Sequence, residues 1–265
     1  MTVDVGVCMV PSRKQKDQTM TTSKSTETST TTTRRTRTPS AKKPFTVYFA
    51  GDLWTHKDLI GNSLLGEFIR KISRGRYECI LPQDLEEPVH RTVDIRNLDL
   101  KHVMTCDMAI FNFDGANLDA GTVVEFMYAK MLDVPCLILR TDFRSAGEGG
   151  QDQDPWNLMA THWPRTEVLK LHGMVEYQTS KDKARHGAAA LAATIKTLYR
   201  KLASQVVDGL DRVRQQSPLI TDPQQLRTIY NWAVQCPGSG YPDLFADTEV
   251  SALLDRKVKK GLLAD

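Results

Sequence analysis

Apolar and polar positions along this chain alternate between two periods. Phe45-Thr46-Val47-Tyr48-Phe49-Ala50 is β-branched and aromatic and stops at Gly51-Asp52, which predicts a strand ending in a turn. From Asp58 to Ser73, Leu59, Ile60, Leu64, Leu65, Phe68, Ile69 and Ile72 recur at helical spacing, and Gly75 supplies the stop. Tyr77 to Leu81 predicts a second strand, closed by Pro82, and residues 83–88 a polar loop beyond it. A helix over 95–106, a strand over 108–113, a helix over 121–133 and an apolar strand over 135–139 follow. The last of these is apolar throughout, as befits a parallel strand covered on both faces. Residues 142–154 predict a long flexible loop, Pro155 opens a helix at its first turn, 168–171 gives a fifth strand, and 183–206 a strong helix.

Strands that alternate with helices imply a parallel sheet with right-handed crossovers. The expected fold is therefore α/β: a small doubly wound, flavodoxin-like parallel sheet of about five strands with helices on both faces. In that class ligands bind beyond the carboxyl ends of the strands. The pattern fades at both ends. Residues 18–33 are low complexity and, with the basic stretch after them, bury too little apolar surface to offset chain entropy. Residues 1–43 are thus expected to be a disordered basic tail, 44–206 a catalytic domain, and 207–265 a helical C-terminal extension rich in X-Pro steps. In that extension Tyr230, Trp232, Tyr241 and Phe245 are candidate anchors on the core or on a partner.

Charge sharpens the division. The whole chain carries a formal +3, but the first 43 residues hold nine Lys or Arg against three Asp or Glu. The remainder is mildly acidic, which argues against nucleic-acid binding by the core. No apolar run reaches the ~18 residues of a membrane helix. The five cysteines show no CxxC pair, and Cys79, Cys106 and Cys136 sit in or beside apolar runs, so a reducing, cytoplasmic setting is expected. There is no GxGxxG, GxxxxGK[ST], HExxH or Cys/His zinc pattern. No metal or organic cofactor is expected.

The candidate chemistry lies around the third strand. Asp107 precedes it, and Asp119 and Glu125 follow it within NFDGANLDAGTVVEF. The three acids are expected to gather at the strand's carboxyl end. Two readings of Glu125 stand side by side. Thr122-Val123-Val124-Glu125 has the form of a capping box, in which the Glu returns to the cap's amide. Alternatively, Glu125 is a nucleophile toward a sugar anomeric carbon, with Asp119 or Asp107 as the acid that protonates the leaving group. Tyr48 is a buried strand aromatic or a hydroxyl that orients the nucleophile.

Taken together, Val47-Tyr48-Phe49-Ala50-Gly51, Leu81-Pro82-Gln83-Asp84, Cys106-Asp107-Met108, Asn117 through Glu125, and Trp156-Asn157-Leu158-Met159 resemble the nucleoside 2-deoxyribosyltransferase family over roughly residues 45–178. The resemblance implies Glu125 as the nucleophile that takes the 2-deoxyribosyl group, Asp119 as the acid on the sugar hydroxyls, and Asp107 as the acid that handles the base and its proton. It implies Tyr48 as the nucleophile's holder, and Asn157 and Met159 as residues reaching into a neighbouring subunit's site. Gln83 lies where base contacts are made, and Gly51 belongs to the substrate-binding turn. The implied partners are nucleosides, nucleobases and further copies of the chain. Shorter family members end in a tyrosine whose terminal carboxylate lies in the site, whereas this chain runs on past Tyr177. A nucleoside or deoxynucleotide N-glycosidase on the same scaffold and a non-enzymatic nucleotide-binding module are the alternatives.

Overall fold

The computed structural model describes residues 43–85, 91–144 and 154–265. The basic tail and parts of the polar loops after the second and fourth strands lie outside the described residues. Residues 42–265 form one compact unit. Its elements are β1 (Phe45–Ala50), α1 (His56–Ile72), β2 (Tyr77–Ile80), α2 (Thr92–Thr105), β3 (Met108–Asn112), α3 (Ala120–Met131), β4 (Cys136–Arg140), β5 (Thr166–Lys170), α4 (Gly173–Ser180), α5 (Gly187–Val213), α6 (Pro223–Gln235) and α7 (Glu249–Lys259).

All strand pairs are parallel, and the order is β2-β1-β3-β4-β5. The expected doubly wound, flavodoxin-like sheet is therefore present. Side chains alternate across it, as the strand period requires. Val47, Phe49, Met108, Ile110, Leu137 and Leu139 pack with α1 and α5 on one face. Tyr48, Ala50, Ala109, Phe111, Cys136 and Ile138 pack with α2 and α3 on the other. The helix α5 seats tightly because of Gly209, where a Cβ would stand 2.4 Å from Leu137 Cδ1. The connections from β1 run outward on both sides, so the order reverses between β1 and β3. That reversal opens a crevice at their carboxyl ends.

Three elements differ from the sequence pattern. Pro155 does not open an α-helix. Only a single 3-10 turn forms, Leu158–Ala160, because His162 takes a positive φ of 58° and Pro164 disfavours helix at Trp163. The helix α4, half-exposed and weakly periodic, has no counterpart in the pattern. The helix expected from 183 begins at Gly187, since Asp182 Oδ1 accepts from the amides of Ala184 and Arg185 in a local turn. It runs on to Val213, through the boundary drawn after residue 206.

The C-terminal segment packs onto the α2–α3 face. Tyr230 is fully buried and donates to Leu132 O at 3.0 Å. Tyr241 is fully buried too and shares a 3.0 Å hydrogen bond with the Tyr128 hydroxyl, which lies 2.9 Å from Ala233 O. Phe245 packs at the edge of this cluster, whereas Trp232 is exposed. Arg165 ties β5 to this layer, pairing with Asp133 at 2.9 Å and donating to Leu262 O at 2.9 Å.

Candidate active site

The Tyr48–Glu125 pair joins β1 to α3. Tyr48 sits in the middle of β1 with its ring on the α3 side, and its hydroxyl donates to Glu125 Oε1 at 2.6 Å. Glu125 stands on the second turn of α3. The helix is capped by Asp119, whose Oδ2 accepts from Thr122 N at 2.7 Å and Thr122 Oγ1 at 3.0 Å. The capping-box reading of Thr122 and Glu125 is thereby corrected. Thr122 is the third helical residue, and the orphan amides of the first turn are served by Asp119. Glu125 is released from capping and held by Tyr48 instead.

Burial is the largest cause that raises the Glu125 carboxyl, and the negative charges of Asp99 and Asp119 add to it. The Tyr48 hydrogen bond opposes them, and the outcome is about 8. The Tyr48 phenol is itself held well above its ordinary range, by burial first and then by Glu125 and Asp99. Asp99, on the inner part of α2, thus completes an acidic group around the hydroxyl–carboxylate pair. The sequence reading did not single it out. Its signal was an acid flanked by Leu98 and Leu100 on a helix with two buried turns.

Asp107 is elsewhere. It lies at the amino end of β3, a strand of five residues, whereas Asp119 follows the carboxyl end. That separates them by roughly 16 Å of strand at 3.3 Å per residue. Asp107 is buried, accepting from Thr46 N at 2.8 Å, Thr46 Oγ1 at 3.1 Å and Lys260 Nζ at 2.5 Å. All three bonds end on Oδ2, and Oδ1 is buried without a hydrogen-bond partner, so Asp107 is held at the amino edge of the sheet and the expected gathering of three acids at the carboxyl edge is corrected. The structure brings Asp99, and not Asp107, to Glu125.

The remaining expected residues divide. Gly51 closes β1 against β3, where a Cβ would stand 2.8 Å from Asn112 Cβ, so its lack of a side chain serves the close approach of the strands. Gln83 follows β2 on the same edge, and its Nε2 donates to Leu59 O at 2.8 Å and Ser63 Oγ at 2.9 Å, tying the β2 turn to α1. Asn157 and Met159 line a cavity of about 870 Å³ with Asn117, Val123, Met127 and Trp163. Ala120, Val123 and Met127 share one face of α3 and wall this cavity, while Glu125 projects from another face and does not line it. Within one chain Asn157 and Met159 are therefore not brought to Glu125. Asn157 Oδ1 accepts from Met159 N at 2.9 Å, and Met159 is 72% exposed. Tyr177 lies on α4 and is half-exposed. Among the described residues no group of His, Cys, Asp and Glu is arranged to hold a metal ion. No helix among them is long and apolar enough to cross a membrane.

With this geometry in place, the comparisons are specific. Residues 47–159 match the sequence model of the family described as nucleoside 2-deoxyribosyltransferase. This segment belongs to that family. Glu125, Asp119, Asp99 and Tyr48 all fall inside the deoxyribosyltransferase segment, and α5, α6 and α7 lie beyond it. No curated protein matches the chain. Among solved structures, a conserved protein from Enterococcus faecalis V583 is 19% identical, covers 64% of this chain and 98% of its own, and gives a TM-score of 0.39. A 2-desoxiribosyltransferase from Leishmania mexicana is 22% identical, with 58% and 98% covered and a TM-score of 0.37. A CMP N-glycosidase from Clostridium botulinum is 13% identical, with 51% and 95% covered and a TM-score of 0.34. The family is enzymatic and acts at the N-glycosidic bond of nucleosides.

Proposed function

We propose that the protein moves a 2-deoxyribosyl group between nucleobases through a covalent glycosyl intermediate on Glu125. The observation that carries this reading is the 2.6 Å hydrogen bond from Tyr48 to a Glu125 that burial has made basic. A carboxylate released from helix capping, fixed by a neutral donor and largely removed from water is suited to attack carbon.

In the first step a Glu125 oxygen bonds to C1′ of the nucleoside as the C1′–N bond breaks, and the electron pair leaves with the base. Asp99 is the acid that gives the departing nitrogen its proton. In the second step a nitrogen of the acceptor base bonds to C1′, the ester bond to Glu125 breaks, and the acceptor's proton returns to Asp99. Each displacement inverts C1′, so the overall outcome is retention. Asp119 takes a sugar hydroxyl with the oxygen not committed to the α3 cap. Holding the acceptor base against C1′ gives it an effective molarity that water must exceed. Exposed Val124, Leu158 and Met159 support a homo-oligomer in which Asn157 and Met159 complete a neighbouring copy's site.

The test is to incubate a deoxynucleoside with and without an excess of a different base and to separate the products by chromatography. New nucleoside of unchanged anomeric configuration is expected. Free base and deoxyribose, formed equally with and without the added base, would assign the protein to hydrolysis. No turnover of any deoxynucleoside would refute both.

A further inference from the structure

The cavity of about 870 Å³ on the far face of α3 from Glu125 has the size of a small-molecule site, and none of Glu125, Asp99, Asp119 and Tyr48 lines it. Val123 and Met127 of α3 line it, as do Trp156 and Trp163 of the segment before β5. Both indoles are fixed by the core. Trp156 meets Phe113 edge-on at 5.5 Å between ring centroids, and Trp163 meets Phe126 in the same way at 6.5 Å. Their N–H groups are spent on backbone carbonyls, Trp156 Nε1 on Ala160 O at 3.4 Å and Trp163 Nε1 on Met159 O at 2.9 Å. The indoles therefore offer a ligand ring surface rather than donors.

The polar groups of the cavity are few. Arg140, at the carboxyl end of β4, lines it with a side chain only 2% exposed. Its Nη1 donates to Phe113 O and, at 3.3 Å, to Gly115 O, and its Nη2 donates to Arg144 O at 3.4 Å. Its Nε is buried and has no hydrogen-bond partner. A buried N–H without an acceptor is costly, and an acceptor seated against Arg140 removes that cost. Asn117, on the turn after β3, adds an amide with both donors and an acceptor. The charges nearby do not favour an anion. Asp142 Oδ2 stands 3.9 Å from Arg140 Nη2, Arg144 is committed to Asp142 at 2.9 Å, and Lys170 is committed to Asp154 at 3.0 Å beside Pro155.

We propose that this cavity is a second ligand site, separate from Glu125, for a neutral, flat heteroaromatic molecule of the nucleobase class. Trp156 and Trp163 take the faces of the ring, and Val123 and Met127 cover it from α3. A ring nitrogen or carbonyl oxygen accepts from Arg140, and the mixed donor and acceptor edge of such a ring suits the Asn117 amide. An aliphatic ligand leaves the Arg140 N–H unpaired, and a carboxylate or phosphate meets Asp142. The inference does not depend on the reading of Glu125 as a nucleophile.

The experiment is calorimetry on the full chain with adenine as the probe, beside light scattering and steady-state kinetics on the same samples. The native protein is expected to bind adenine, and one binding event per chain should survive Glu125→Gln. Val123→Trp fills the cavity from α3 without touching Arg140. It should weaken that event by about 10-fold or more and leave kcat and the KM of the deoxynucleoside unchanged. Arg140→Lys keeps the charge, lacks Nε, and should weaken the same event by about 10-fold, the scale of a hydrogen bond to a charged donor. Absence of adenine binding overturns the proposal. Binding that Glu125→Gln abolishes, or that Val123→Trp leaves intact, places the base elsewhere and overturns it too. A changed oligomeric state in Val123→Trp with adenine binding unmoved assigns the cavity to a second copy of the chain, which likewise overturns it.

Discussion

Two acids of this protein, both expected at one site, lie in different settings: one carboxylate is matched by a cation and the other is not. Asp107 is buried with a cation, a backbone amide and a hydroxyl directed at it. Its charge is compensated at Oδ2 by these donors, and removing it would leave Lys260 with Pro44 O but without its anionic partner. Glu125 is held by a neutral phenol and lies beside two further acids, so its charge is opposed rather than compensated. A buried charge without a cation is costly and is retained where it does chemistry. Burial alone does not separate the two; the nature of the partners does.

The sharpest way to break the comparison is to neutralise each acid. Glu125→Gln should keep the fold, since Asp119 caps α3, and should lower kcat on the order of 10³-fold or more, as loss of a nucleophile does. Steady-state kinetics with circular dichroism on the same sample checks this, and unfolding of the variant would return Glu125 to a structural role. Asp107→Ala should do the reverse. Breaking a buried pair costs about 3 kcal/mol, which corresponds to a fall in Tm of roughly 6–12 °C for a chain of this size, with turnover per folded molecule unchanged. A thermal melt beside an active-site titration separates the two effects.

Asp99→Asn tests the acid that the structure put in Asp107's place. It should lower kcat by about 100-fold, the scale of one general acid. Because the base leaves without its proton only in that variant, a deoxynucleoside with a better leaving base should recover much of the loss. The smallest effect is expected of Tyr48→Phe, about 10-fold in kcat/KM, together with a displaced pH profile. The ionised carboxylate attacks, so kcat/KM should rise with pH and level off near the Glu125 value of about 8. The Tyr48 hydrogen bond favours the ionised form, and its removal should move that limb to higher pH. A limb that stays in place would show that another group sets it.

The strands, the two-sided burial and the carboxyl-edge crevice were legible in the sequence because period and β-branched content carry them. Glu125, Asp119 and Tyr48 were singled out by their place in one family-like segment, and the fold joins Tyr48 to Glu125 and sets Asp119 as the cap of α3. Asp107 was misplaced because spacing measures distance along the chain, and a strand of five residues carries neighbours in sequence to opposite edges of the sheet. Asp99 went unseen for the complementary reason, since it reaches Glu125 only when α2 is laid against α3. The cap of α3 was misread by one turn because Asp119 and Thr122 are both good caps, and only the folded turn chooses between them. Asn157 and Met159 sit on the far face of α3 from Glu125, a separation that periodicity within one chain does not reveal.

The bond between Lys260 and Asp107 joins residues 153 positions apart. In folding terms it is among the most non-local contacts of the molecule, and such contacts form late because loop closure must come first. Until α7 docks, Asp107 is without its cation at the amino edge of β3. The Tyr48–Glu125 pair spans only 77 positions, and both of its residues lie on β1 and α3. In refolding, the hydroxyl–carboxylate pair can therefore assemble before the opposite edge closes, and recovered turnover would precede recovered resistance to protease.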